Sequence, residues 1–235
     1  MSSPASATDA GLQARVADLR AAGSLEISPR ELHRAGEVAA LLPADTCVYI
    51  PSLPGLPLAR TLETVGALRE AGLDPVPHVS ARRILDREEF EAFVRQAVSR
   101  YGVHRVLLLG GDEPRPKGPF ADSLELLGTG LLAECGIREI GVAGYPEGHP
   151  RIAPAVLKAA FERKLALARE QRLGAYVVTQ FSFDAEAKAL YDAEPPHFDA
   201  AHFEAILADI AALLPGDAPR ETRPHNRREF DLSHV

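Results

Sequence analysis

An alternating α/β fold of (β/α) TIM-barrel type is what this sequence predicts. Two observations carry the prediction. Short apolar runs recur behind amphipathic stretches, and a glycine stands at most of the joints between them. Strands that are apolar along their length, without clean alternation, suit a parallel sheet covered on both faces. A glycine past a helix end supplies the left-handed conformation that other residues adopt only at a cost. Alternation of the two elements implies right-handed crossovers between parallel strands.

Residues 12–22 have helical spacing, Gly23 closes them, and 24–28 read as a first strand. A helix around 35–42 leads to a second strand at 47–50. Residues 58–71 form a helix stopped by Gly72, before a third strand at 75–79. A helix over 87–101 stops at Gly102, ahead of a fourth strand at 105–109. The helical span 120–135 stops at Gly136, and the fifth strand follows at 139–143. Residues 154–173 form a helix stopped by Gly174, and 176–181 make the sixth strand. A closed barrel has eight strands, so the seventh and eighth are missing or replaced. After 184 come a helix over 185–194, a break at Pro195–Pro196 and an amphipathic helix over 201–214. The expected organisation is a disordered N-terminus over 1–8, a barrel-like catalytic domain over 9–214, and an extended tail over 215–235.

The 235 residues are 46% hydrophobic and 25% charged, which provides for a real core. A net charge of −7 argues against nucleic acid or an anionic membrane as partner, since both demand clustered Lys and Arg. Cys47 and Cys135 read as buried hydrophobes in a reducing compartment. The first ten residues lack a secretory pattern, and no apolar run reaches the ~20 residues of a spanning helix. The expected location is cytoplasmic.

In parallel α/β folds, sites form beyond the carboxyl ends of the strands. The unusual polar residues fall there: His78 on the third strand, Gly110–Gly111–Asp112 after the fourth, Tyr145 to His149 after the fifth, and Gln180 with Asp184 around the sixth. Glu26 lies inside the first strand. Each also has a plainer reading. Glu26 can face water, His78 can be a satisfied core imidazole, Asp112 can be a turn residue, and Lys164 can lie on a solvated helix face. His78, Asp112 and His149 could together hold a metal, which stays open as an alternative. Gly128–Thr129–Gly130–Leu131–Leu132–Ala133 matches a dinucleotide fingerprint in letters, but it is placed within a helix and is set aside.

Two segments carry a resemblance. Tyr145–Pro146–Glu147–Gly148–His149–Pro150 and Thr179–Gln180–Phe181–Ser182–Phe183–Asp184 resemble motifs of the flavin-dependent methylenetetrahydrofolate reductases, in the same order along the chain. The resemblance covers about residues 23–184. It implies a (β/α)8 barrel with FAD at the carboxyl ends of the strands. The implied reaction is reduction of 5,10-methylenetetrahydrofolate to 5-methyltetrahydrofolate, with NAD(P)H or another donor supplying electrons. It implies Glu26 as general acid and Asp112 as a charge-tuning catalytic residue that also contacts the flavin. His78, Gly111, Phe120, Ala121, Tyr145, His149 and Lys164 would bind FAD, and Gln180 and Phe181 the folate. Departures are Tyr49–Ile50–Pro51 at the end of the second strand, Gly110 at a position often held by Arg, and the absent last two strands. The alternative is a non-catalytic subunit that completes a partner. A homo-oligomer or a partner subunit is expected to cover the open edges.

Overall fold

Six parallel strands lie side by side in chain order in a computed structural model that describes residues 23–145, 148–149 and 151–179. They are β1 (Leu25–Glu26), β2 (Cys47–Ile50), β3 (Asp74–Ser80), β4 (Arg105–Leu109), β5 (Glu139–Gly144) and β6 (Gly174–Thr179). The helices between them are α1 (Ala35–Ala39), α2 (Leu58–Glu70), α3 (Arg87–Tyr101), α4 (Ser123–Gly128), α5 (Leu131–Cys135) and α6 (Pro154–Glu170). Short 3-10 turns follow β1 and β3, at Pro29–Arg34 and Ala81–Arg83. The sheet curls as half of a barrel would.

Its two faces bury different residues because strand side chains alternate. Val48, Ile50, Val79, Val106, Leu108, Ile140 and Val142 join the large core with the helices. Tyr49, Val76, Leu107 and Val178 form a second cluster on the other face. All seven residues of β3 are buried, as a central strand covered on both sides requires.

Helix α3 shows how the sequence marks its limits. Asp86 caps it by accepting from the Glu89 N–H at 2.7 Å, and the Glu89 carboxylate accepts from the Leu85 N–H at 2.7 Å. Phe90, Phe93, Val94 and Ala97 make its buried stripe. Gly102 ends it in the left-handed conformation at φ 65°.

Several expected boundaries differ. The first strand shrinks to two residues, with one further bond from the Ile27 N–H to the Tyr49 carbonyl at 2.9 Å. The third grows to seven, by one residue at each end. The single helix expected over 120–135 is two helices. Gly130, at φ 75°, breaks it, and the Thr129 hydroxyl donates to the Leu126 carbonyl at 2.6 Å. The false fingerprint at Gly128 to Ala133 therefore spans a helix–helix joint, not a strand–helix turn. Phe120 precedes α4 instead of opening a helix. The expected helices at 12–22, 185–194 and 201–214 lie outside the described residues, as do the 1–8 terminus and the 215–235 tail. Among the described residues no helix is long and apolar enough to cross a membrane.

At the amino ends of the strands, Arg105 meets Glu139 at 2.5 Å, the Cys47 sulfur at 2.8 Å and Asp74 at 3.9 Å. Burial works against its charge, but Glu139, Cys47, Tyr176 and Asp74 together raise its pKa above the ordinary arginine value. Asp74 also pairs with Arg69 at 2.8 Å. Such a floor reads as support for the opposite, functional end.

Candidate functional site

A cleft of about 460 Å³ opens at the carboxyl ends of the strands, within the usual range for small-molecule sites. It is lined from β2 by Pro51 and Ser52, from β3 by His78, Ser80, Arg82 and Arg83, and from the β4 end by Leu109 to Asp112. Ala121 and Asp122 come from the loop before α4, and Tyr145, His149 and Arg151 follow β5. Four strands thus deliver polar groups to one space.

His78 is buried inside β3, and its ring meets Tyr49 edge-on at 5.8 Å between centroids. Its Nε2 stands 3.8 Å from the Glu26 carboxylate, which is 35% exposed. Glu26 is not part of the cleft lining, and His78 joins the two. The plainer reading of Glu26, a side chain facing water, holds for part of its surface.

Gly111 takes φ 93°, a conformation that disfavours a side chain. A Cβ there would lie 3.3 Å from both the Ser80 Cβ and the Glu113 Oε2. Asp112 faces Arg83 across 3.6 Å. The His149 ring packs edge-on against Tyr145 at 5.2 Å. Its Nδ1 accepts from the Arg151 N–H at 3.1 Å. Burial lowers the His149 pKa and Arg151 lowers it further, with Asp112 opposing, so the neutral ring is favoured near pH 7.

Lys164 is half-buried on α6, outside the lining. Burial lowers its pKa and the Asp122 carboxylate raises it in part, so its ammonium is within electrostatic reach of the cleft wall. The Phe120 ring belongs to the core, edge-on to Phe90 at 6.1 Å, so a ligand in the cleft meets the Ala121 side of that loop. Gln180, Phe181 and Asp184 lie outside the described residues, as do Pro146, Glu147 and Pro150. Among the described residues no three His, Cys, Asp or Glu side chains gather closely enough to hold a metal. His78, Asp112 and His149 share the cleft without forming such a cluster.

Sequence reasoning missed Arg82, Arg83 and Arg151. Arg82 donates to the Ala121 carbonyl at 2.8 Å and the Glu113 carbonyl at 3.0 Å. Arg83 pairs with Glu113 at 2.5 Å and donates to the Ser52 carbonyl. The signal for Arg82 and Arg83 was two adjacent arginines just after the third strand.

The class defined by fold and site is an α/β protein with a polar cleft at the carboxyl ends of a curled parallel sheet. No family model matches the chain. Over 131 residues it is 33% identical to the 5,10-methylenetetrahydrofolate reductase of Salmonella typhimurium. That stretch is 54% of this chain and 41% of the relative, so the chain spans less than half the length of the curated relative it matches. Likenesses to solved structures are loose. A sugar phosphate isomerase/epimerase from Anabaena variabilis shares 16% identity at a TM-score of 0.41, over 81% of this chain and 71% of that one. A ketoreductase domain from the bacillaene assembly line shares 15% at 0.34, over 82% and 54%.

Proposed function

We propose that the chain is an FAD-dependent oxidoreductase of one-carbon metabolism that reduces 5,10-methylenetetrahydrofolate to 5-methyltetrahydrofolate. The observation that carries this reading is convergence. His78, Gly111, Asp112, Ala121, Tyr145 and His149, all implied by the resemblance, line one cleft although they come from three strand ends and one loop. The match to the Salmonella typhimurium reductase supports the same reading.

The residues present suit a flavin dinucleotide. Arg83 is answered by Glu113 and Asp112, which leaves Arg82 and Arg151 as the cleft cations that favour a ligand carrying phosphate. Gly111 lines the cleft at φ 93°, a backbone conformation that glycine adopts at little cost. Bound FAD would supply the hydride, from NAD(P)H or another donor. The protein's part is to orient and to manage protons. Glu26 donates a proton to open the ring of the folate. Asp112 places negative charge beside the ligands, and neutral His149, whose Nδ1 already accepts from the Arg151 N–H, offers its Nε2–H donor without adding charge. Gln180 and Phe181 would hold the folate.

The test is a titration of flavin-free protein with FAD. Quenching of flavin fluorescence at micromolar protein is expected, and its absence would count against the reading. Lys164→Met should weaken binding by about 1–3 kcal/mol, the range for a charge-assisted hydrogen bond. Because the Lys164 pKa is lowered from 10.5, its ammonium is lost at a lower pH than a free lysine's. FAD affinity should therefore fall as pH rises through that lowered value, and the Lys164→Met variant should not show this fall.

A second reading, a non-catalytic subunit completing a partner, draws on the sheet edges at β1 and β6 that have no further strand among the described residues. A purified protein without a flavin spectrum, carrying a second chain, would favour it.

A further inference from the structure

We infer that Arg83 is a positioning residue, which holds the Asp112 carboxylate in the cleft from anchors on Glu113 and Ser52. The inference takes its catalytic meaning from the function proposed above.

Arg83 is no surface cation. Its side chain is 8% exposed, and its three nitrogens face three different acceptors. Nε pairs with Glu113 Oε1 at 2.5 Å, Nη1 donates to the Ser52 carbonyl, and Nη2 stands 3.6 Å from Asp112 Oδ2. The loop after β2 and the loop after β4 are thereby joined through one planar group. A lysine ammonium, a point charge on a flexible stem, cannot reproduce that fork.

The two carboxylates are held unequally. Glu113 is close and mostly buried, and it answers the guanidinium charge. Asp112 is farther and 33% exposed, and it lines the cleft. Arg82, the adjacent residue, spends its donors on backbone carbonyls instead. A side chain at position 111 would crowd Glu113 Oε2, so Gly111 protects the anchor. Without the fork, repulsion from Glu113 drives Asp112 toward the open cleft, where His149 stands.

His149 therefore reports the position of Asp112, since Asp112 already acts on its proton affinity. The charged groups around His149 are Arg151 on its own loop, Asp112 after β4, His78, Arg82 and Arg83 from β3 and its turn, and Asp122 before α4. The experiment is a proton NMR titration of His149 in flavin-free protein. It compares wild type, Arg83→Lys, Asp112→Asn and the double variant. Arg83→Lys keeps the charge and loses the fork, so a residue acting only as a charge would leave His149 unmoved. The expected result is a rise of about threefold in His149 proton affinity, the size of effect a carboxylate shifted by a few ångströms exerts. In the Asp112→Asn background the same substitution should have no effect, because coupled sites are non-additive. No change in either background, or an equal change in both, overturns the inference. Should Arg83→Lys not fold, Arg83→Met with Glu113→Gln removes the cation and its anchor together. That pair is titrated with Asp112 and with Asp112→Asn against the same criterion of non-additivity. The titration needs no flavin, so a chain that binds no FAD fails the functional reading and leaves this test standing.

Discussion

Glu26 and His78 stand 3.8 Å apart on the same face of the sheet, one partly open to solvent and one closed off. A proton donor needs that combination, because a carboxyl must reach its acceptor and must also recover its proton from water. Glu26→Gln keeps shape and hydrogen bonding but cannot give up an acid proton. It should leave FAD affinity near wild type and lower folate turnover by about 100- to 10,000-fold. Unchanged turnover with reduced flavin and methylenetetrahydrofolate would end the assignment. At this scale the sequence was legible where a residue broke a pattern. His78 and Glu26 are polar letters in apolar runs, and Gly111–Asp112 follows a strand directly. Arg83 was not legible. Two arginines after a strand look like a solvated turn until Glu113 and Ser52, some thirty residues away in either direction, are folded around one of them.

Among the elements, each run expected as a strand overlaps one of the six strands of the described residues, though not always with the same bounds, and a glycine marks most of the preceding helix ends. The span from Phe120 to Cys135 was misread because its apolar spacing continues across Gly128 and Gly130. Only the left-handed backbone at Gly130 shows that two short helices turn against each other. The irregular segment before them is held by close packing. A Cβ on Gly118 would overlap the backbone carbonyl of Leu85, and Lys117 donates from its N–H to the Arg82 carbonyl at 2.9 Å. Backbone, unlike a flexible side chain, has little room to yield. Gly118→Ala should therefore destabilise the fold by about 1–3 kcal/mol, the usual cost of overpacking. In a chain of this size that is a fall of roughly 2–12 °C in melting temperature. A scanning calorimetry trace unchanged within a degree would show that the segment moves freely.

For the whole molecule the open question is how a curled sheet of six strands ends. Among the described residues β1 pairs only with β2 and β6 only with β5, and Leu25 on β1 is 40% exposed. An unpaired strand edge is a template for association, and proteins cover it. The sequence offers one cover in 201–214, where Phe203, Ile206, Leu207, Ile210, Leu213 and Leu214 recur at helical spacing. A helix can bury an apolar face but supplies no ladder hydrogen bonds, so a second device is needed at the edges. We propose that residues 215–235 or a second copy of the chain provides it. Deleting 215–235 should then cause aggregation or loss of the native oligomer, beyond any loss of activity. Sedimentation velocity on the full and shortened chains decides the matter. Two well-behaved monomers would mean that the edges need no such cover, and that the sheet is closed by chain before Pro215.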